Sequence, residues 1–162
     1  MLSVENLSVS FNTRGTIITA VKNLSFLLQK NEVLGIVGES GSGKSQTVLS
    51  LMGLLESNGV ATGSATFKNK EILGLPDKEL NKIRGNEIAM IFQDPMSSLN
   101  PYVTIGQQMS GVLRQHSKDN KKEARDRCVE MLSAVKVPNP DKRIDGYSFE
   151  LSGGMRQRVM IA

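Results

Sequence analysis

Gly38-Glu39-Ser40-Gly41-Ser42-Gly43-Lys44-Ser45 fits the spacing G-x-x-x-x-G-K-[ST], and each residue type in it answers a need of phosphate chemistry. Glycines let backbone N–H groups turn inward around phosphate oxygens, and the start of a following helix adds its partial positive charge. Lys44 brings a full charge to the β- and γ-phosphates of a nucleotide, Ser45 brings a hydroxyl for Mg²⁺, and Gln46 lies on the same first turn. A chance match is expected in fewer than about one sequence in a hundred of this length. The competing reading is an ordinary glycine-rich turn before a helix. Glu39 lies next to the phosphates in this reading, and nothing in its placement favours a general-base role.

A second candidate is Leu151-Ser152-Gly153-Gly154-Met155-Arg156-Gln157-Arg158. Ser152 is a good N-cap, and Gly153 and Gly154 expose backbone N–H groups at a helix start, which suits a γ-phosphate. The alternative is a helix cap whose glycines serve close packing. Gln93 follows the apolar stretch 88–92, where a neutral amide can hydrogen-bond a Mg²⁺-bound or attacking water. Taken alone, a Gln before Asp-Pro is more often a turn residue. His116, the single histidine, lies in a polar helical stretch and reads as a solvated residue, while Cys128, the single cysteine, reads as helix packing. The mixed-charge run 118–127 reads as a solvated helix face.

These residues need elements to hold them. Alternation at Leu2, Val4, Leu7, Val9 and Phe11, then over 17–21 and 24–28, with a turn at 12–15, predicts antiparallel strands. Residues 33–37 lack alternation, as expected of a parallel strand buried on both faces, and lead straight into the glycine-rich loop. A helix is predicted from Lys44 to Leu55, stopped near Gly59, then strands at 64–67 and 88–92 with a short helix between them from Pro76-Asp77 to Gly85. Helices follow from Thr104, with Ile105, Met109, Val112 and Leu113 on one face, and over 121–135, closed by Pro138 and Pro140. A last helix starts at Ser152. The expected fold class is α/β: a P-loop core with parallel strands, an N-terminal antiparallel β layer and a helical subdomain.

Composition agrees with one packed domain. The 162 residues are 39% apolar, enough at this length to remove about 70% of the unfolded chain's surface from water. One Cys and one His exclude a disulfide framework and a Cys/His zinc cluster. The apolar runs are too short for a membrane span and the N-terminus lacks a signal-like pattern. The formal charge of +4 lies wholly in residues 61–162, aromatics are 4%, and Trp is absent, so no nucleic-acid partner is expected.

The order of the loop, Gln93 and the Ser152 segment resembles that of ABC-type ATPases. Residues 93–101, Gln-Asp-Pro-Met-Ser-Ser-Leu-Asn-Pro, and Met155 where most members have Gln, are similar to the narrower group that powers dipeptide, oligopeptide and nickel import in prokaryotes. The resemblance implies a partial nucleotide-binding domain over 1–162, with a β layer and P-loop core at 1–96, a helical subdomain at 97–149 and the signature segment at 150–162. It implies ATP and Mg²⁺ as ligands and Phe11 as the aromatic on which adenine stacks, although Phe11 also suits an ordinary core position. It further implies that Ser152, Gly153 and Gly154 meet the γ-phosphate held by a second ATP-binding subunit, that the Gln93 loop meets transmembrane permease subunits, and that the protein is peripheral on the cytoplasmic face of the membrane. In the family the Mg²⁺-associated Asp, the catalytic Glu and the switch His follow the signature helix. The expectation is therefore an N-terminal portion of a longer ATP-hydrolysing import subunit, without turnover on its own. Two other expectations stand beside it: an ABC-type ATPase outside transport, working on chromosomes or ribosomes, and a nucleotide-binding fragment without turnover.

Overall fold

The computed structural model describes residues 1–92 and 98–162. They form two compact units, Met1–Arg84 and Gly85–Ala162.

The first unit is built on a four-stranded antiparallel sheet ordered β2-β1-β3-β4, from β1 (Leu2–Thr13), β2 (Thr16–Leu28), β3 (Gly59–Phe67) and β4 (Lys70–Glu71). Strands β1 and β2 turn through Arg14 and Gly15, at φ 51 and φ 85, the left-handed pair that matches the twist of a two-residue hairpin. The Asn12 side chain accepts from the Gly15 N–H across that turn. The segments 17–21 and 24–28, read separately from the sequence, are one strand interrupted at Asn23 (φ 47), whose N–H donates to Ser8 Oγ. Asn6 (φ 51) makes the matching irregularity in β1 and donates to Ser25 Oγ. These bulges explain the broken alternation: Val4 and Leu7 are three apart in sequence, yet both are buried, together with Val9, Val21 and Ala65.

Helix α1 (Lys44–Leu51) follows the glycine-rich loop and buries Thr47, Ser50 and Leu51. It ends a turn before the expected Leu55, because Gly53 adopts φ 62 and closes it. Helix α2 (Asp77–Leu80) begins after Pro76 as predicted, and continues as single turns to Arg84.

Two expected strands are corrected. Residues 33–37 are not a buried strand: Val33 is 96% and Val37 93% exposed. Residues 88–92 form no strand either; they follow a turn in which Gly85 N–H donates to Ile88 C=O, and Ile91 and Phe92 are exposed. A strand buried on both faces exists only through hydrogen-bonded neighbours, and among the described residues neither stretch has a ladder partner. The parallel strands of the expectation are therefore absent among the described residues, whose one sheet is antiparallel.

The second unit is helical: α3 (Ile105–His116), α4 (Lys121–Ala134), α5 (Pro140–Arg143), a 3-10 turn at Ser148–Glu150, and α6 (Gly153–Ile161). Its core joins Ile105, Cys128, Leu132, Val137, Ile144, Leu151 and Val159. Capping boxes start α3 (Thr104 with Gln107) and α4 (Asn120 with Glu123), each satisfying donors that the helix start leaves open. Pro140 opens a helix instead of closing one, since a proline at the first helical position lacks only an N–H that has no helical partner there. Of the predicted α3 face, Ile105 is fully buried and Met109 and Leu113 pack on the core, but Val112 is exposed.

Candidate phosphate site and signature segment

The loop at 38–45 is drawn together by its own lysine. Lys44 Nζ donates to Gly38 C=O at 2.7 Å, to Glu39 C=O at 2.6 Å and to Ser42 Oγ at 3.4 Å, while Ser42 N–H closes onto Glu39 C=O at 3.2 Å. Glu39 thus serves through its backbone, and its side chain is exposed. Gly43 is the N-cap of α1 at φ 91, and a Cβ there would stand 2.3 Å from Ala20 C=O on β2. The loop therefore seats directly on the β1–β2 hairpin. Gly41 (φ 83) faces open space, and at Gly38 a Cβ would meet Ser42 Oγ at 2.6 Å.

Thr47 N–H makes the helical bond to Gly43 C=O, so the N–H groups of Lys44, Ser45 and Gln46 precede any helical acceptor. No acidic residue lies in the first turn to neutralise them. An exposed loop with free donors, left-handed glycines and a cation anchored across it fits a polyphosphate. Ser45 is exposed on the first turn and fits a metal that also takes phosphate oxygens. Among the described residues no group of three His, Cys, Asp or Glu is placed to hold a metal ion.

Phe11 is half-buried and pairs with Ile18 on β2 and Gly59 on β3. Its ring lies over Gly59, where a Cβ would come within 2.7 Å of Phe11 Cε1. The loop meets β2 at Ala20 and Val21, close along the strand from Ile18, so one hairpin positions both. Gln93 lies outside the described residues.

In the second unit Ser152 caps α6, its Oγ accepting from Met155 N–H at 3.4 Å. Leu151 is anchored in the core and its C=O accepts from Arg156 Nε at 3.0 Å. Gly153 and Gly154 are exposed, and a Cβ at either would meet nothing within 4 Å. Packing among the described residues therefore does not require glycine at these two positions, and their backbone stays open to approach.

The ABC transporter family matches residues 21–162. The chain belongs to that family. Over its whole length this ABC transporter chain is 57% identical to the oligopeptide transport ATP-binding protein OppD of Escherichia coli (strain K12), covering 48% of that protein. It is 51% identical to the dipeptide transport ATP-binding protein DppD of Bacillus subtilis (strain 168), covering 49%. The chain thus spans about half the length of the curated relatives it matches. Among solved structures it resembles the dimeric ATP-binding cassette MJ0796 bound to ADP and Pi, with a TM-score of 0.84 at 29% identity over 99% of this chain and 67% of that one.

The remaining candidates have quieter roles. His116 is half-buried, its Nε2 packed near Gly85, not a fully solvated residue. Cys128 is fully buried, and burial pushes its thiol pKa up despite the charge of Arg127, so it is packing. Among the described residues no helix is long and apolar enough to cross a membrane. Sequence reasoning missed Gln108, whose Nε2 donates to Asn100 and Val103 C=O at 3.0 and 2.7 Å while its Oε1 accepts from Asn100 N–H. That amide fixes the loop entering α3, and a single Gln in an amphipathic helix carries no pattern that announces such a role.

Proposed function

We propose that this chain is the nucleotide-binding part of an ABC importer subunit that couples ATP binding and hydrolysis to uptake of di- or oligopeptides. The observation that carries it is the Lys44-braced loop ending on the open amino terminus of α1. Peptide uptake is supported by the similarity to proteins named for oligopeptide and dipeptide transport.

Lys44 and the N–H groups of the loop and first turn hold the β- and γ-phosphates. Leaving its own carbonyls for phosphate oxygens, the Lys44 ammonium exchanges neutral acceptors for charged ones. Ser45 would hold Mg²⁺, which when bound would supply neutralisation of the negative charge on the phosphate oxygens. Gln93 orients the attacking water, and Phe11 offers a ring face to adenine. Ser152, Gly153 and Gly154 take the γ-phosphate of a nucleotide held by a second ATP-binding subunit; their open backbone supports this reading. The partners are that second subunit and transmembrane permease subunits, at the cytoplasmic face of the membrane. The helical subdomain of this arrangement is residues 97–149, between the core and the signature segment.

Lys44→Ala removes the only side-chain cation of the loop. Calorimetric titration with Mg-ATP should show at least about a 30-fold loss of affinity, matching ~2 kcal/mol for a charge-assisted hydrogen-bond set. Equal binding by parent and variant would overturn the assignment.

A further inference from the structure

Helix α1 is held unequally at its two ends. Its amino end has no side-chain cap, since Gly43 is the N-cap. Its carboxyl end is closed first by Gly53 at φ 62: Leu54 N–H donates to Leu49 C=O at 2.8 Å and Gly53 N–H to Ser50 C=O at 3.1 Å. Arg84 then takes carbonyls that this closure leaves over. Its Nε donates to Met52 C=O at 2.8 Å and its Nη2 to Gly53 C=O at 2.9 Å, while Nη1 reaches Asp77 Oδ1 and Asn81 Oδ1, both at 3.0 Å. Glycine at 53 permits the approach, because a Cβ there would stand 2.5 Å from Leu80 Cδ1 and 2.8 Å from Arg84 Nη2. The Arg84 side chain, 20% exposed, thereby ties the end of α1 to the α2 segment.

We propose that Arg84 is a positioning residue for the phosphate cradle, setting the seat of the α1 amino end by fixing its carboxyl end. The inference rests on the phosphate-site reading of residues 38–45. Eight residues make a stiff rod about 12 Å long, so freedom at one end is displacement at the other. Along it Thr47, Ser50 and Leu51 are buried and Gly43 bears on Ala20 of β2, so the amino end rests on the hairpin as a pivot while the Arg84 clamp at the far end fixes the tilt about it. Lys44, Ser45 and the first-turn N–H groups ride on that amino end, and polyphosphate recognition is lost steeply with misplacement. The planar fork matters as well as the charge, since one ammonium cannot span two carbonyls and a carboxylate in the same plane. The Asp77 arm is peripheral, its side chain being 80% exposed.

The test uses the full chain, with Mg-ATP and base-free Mg-tripolyphosphate as separate probes, titrated well below the melting temperature after circular dichroism shows equal folded content. Arg84→Met should weaken both ligands by the same factor, about tenfold, Arg84→Lys by about threefold, and Asp77→Asn by less than about twofold. If Arg84→Met is folded and binds both ligands within about twofold of the parent, Arg84 is a stability element only and the proposal falls. Should Arg84→Met not fold, Arg84→Lys decides by the same criterion. A loss confined to ATP, with tripolyphosphate unchanged, also overturns it, because the defect would then lie on the adenine side. Failure of the parent to bind better than Lys44→Ala would remove the phosphate reading itself and this inference with it.

Discussion

Gly43 must be glycine for two separate reasons, and they can be told apart experimentally. Its φ of 91 is strained for any side chain, and a Cβ would collide with Ala20 C=O at 2.3 Å. Gly41 shares only the first reason, having φ 83 and open space around it. Gly41→Ala should therefore cost about 1 kcal/mol of stability and keep the loop on its hairpin. Gly43→Ala should unseat the loop and abolish Mg-ATP binding, as checked by thermal melts beside calorimetry. Gly153 differs from both, with no positive φ and no neighbour within 4 Å. Gly153→Ala should leave the melting temperature unchanged or raise it slightly, worth up to ~1 kcal/mol of helix propensity, while weakening ATP-dependent self-association. A fall in melting temperature would mean that the glycine serves the fold.

At the scale of elements, the β3–β4 hairpin depends on one carboxylate. Glu71 Oε1 accepts from the N–H groups of Ala65 and Leu73 at 2.9 Å, and its Oε2 from Ser64 Oγ at 2.5 Å. Burial pushes its pKa up, but the hydrogen bonds from Ser64, Ala65, Leu73 and Ile72 outweigh that and hold it below the ordinary 4.5. A group depressed in the folded state stabilises above its unfolded pKa and loses that contribution as pH falls through the folded value. Glu71→Gln should therefore melt below the parent at pH 7, and the gap should close below about pH 4.5. An equal gap at pH 7 and pH 3 would exclude the charge as its source. In the helical unit the corresponding weak point is apolar. Leu132 is fully buried, so Leu132→Ala should cost about 2–5 kcal/mol, measurable by urea titration.

For the whole molecule, the decisive measurement is a mixing experiment between two defective proteins. Ser152→Arg puts a bulky cation where a partner's phosphate should meet backbone amides, and Lys44→Ala empties the chain's own cradle. If the Ser152 segment acts across subunits as proposed, neither full-length homodimer should have an intact composite site, whereas mixing should let the signature of the Lys44→Ala protein and the loop of the Ser152→Arg protein make one. ATP-dependent heterodimers detected by light scattering are expected, and Ser152→Arg alone should keep ATP affinity within about threefold. A Ser152→Arg protein unable to bind ATP would show that the segment serves its own chain.

Local physics was readable without coordinates. The G-x-x-x-x-G-K-[ST] spacing marked the loop, Thr104 and Ser152 marked two helix starts, and the alternation from Leu2 to Leu28 marked the hairpin, because caps, turns and periodicity act within a few residues. Long-range pairing was not readable. The apolar run 33–37 has the composition of a central strand, but composition cannot supply the neighbours that make a ladder. The bulges at Asn6 and Asn23 emerge only when two strands set a common register, which is why one long strand looked like two. Arg84, Gln108 and Glu71 were silent for the same reason: each acts by hydrogen-bonding backbone groups that only the assembled fold brings within reach, and no spacing rule encodes where those groups will stand.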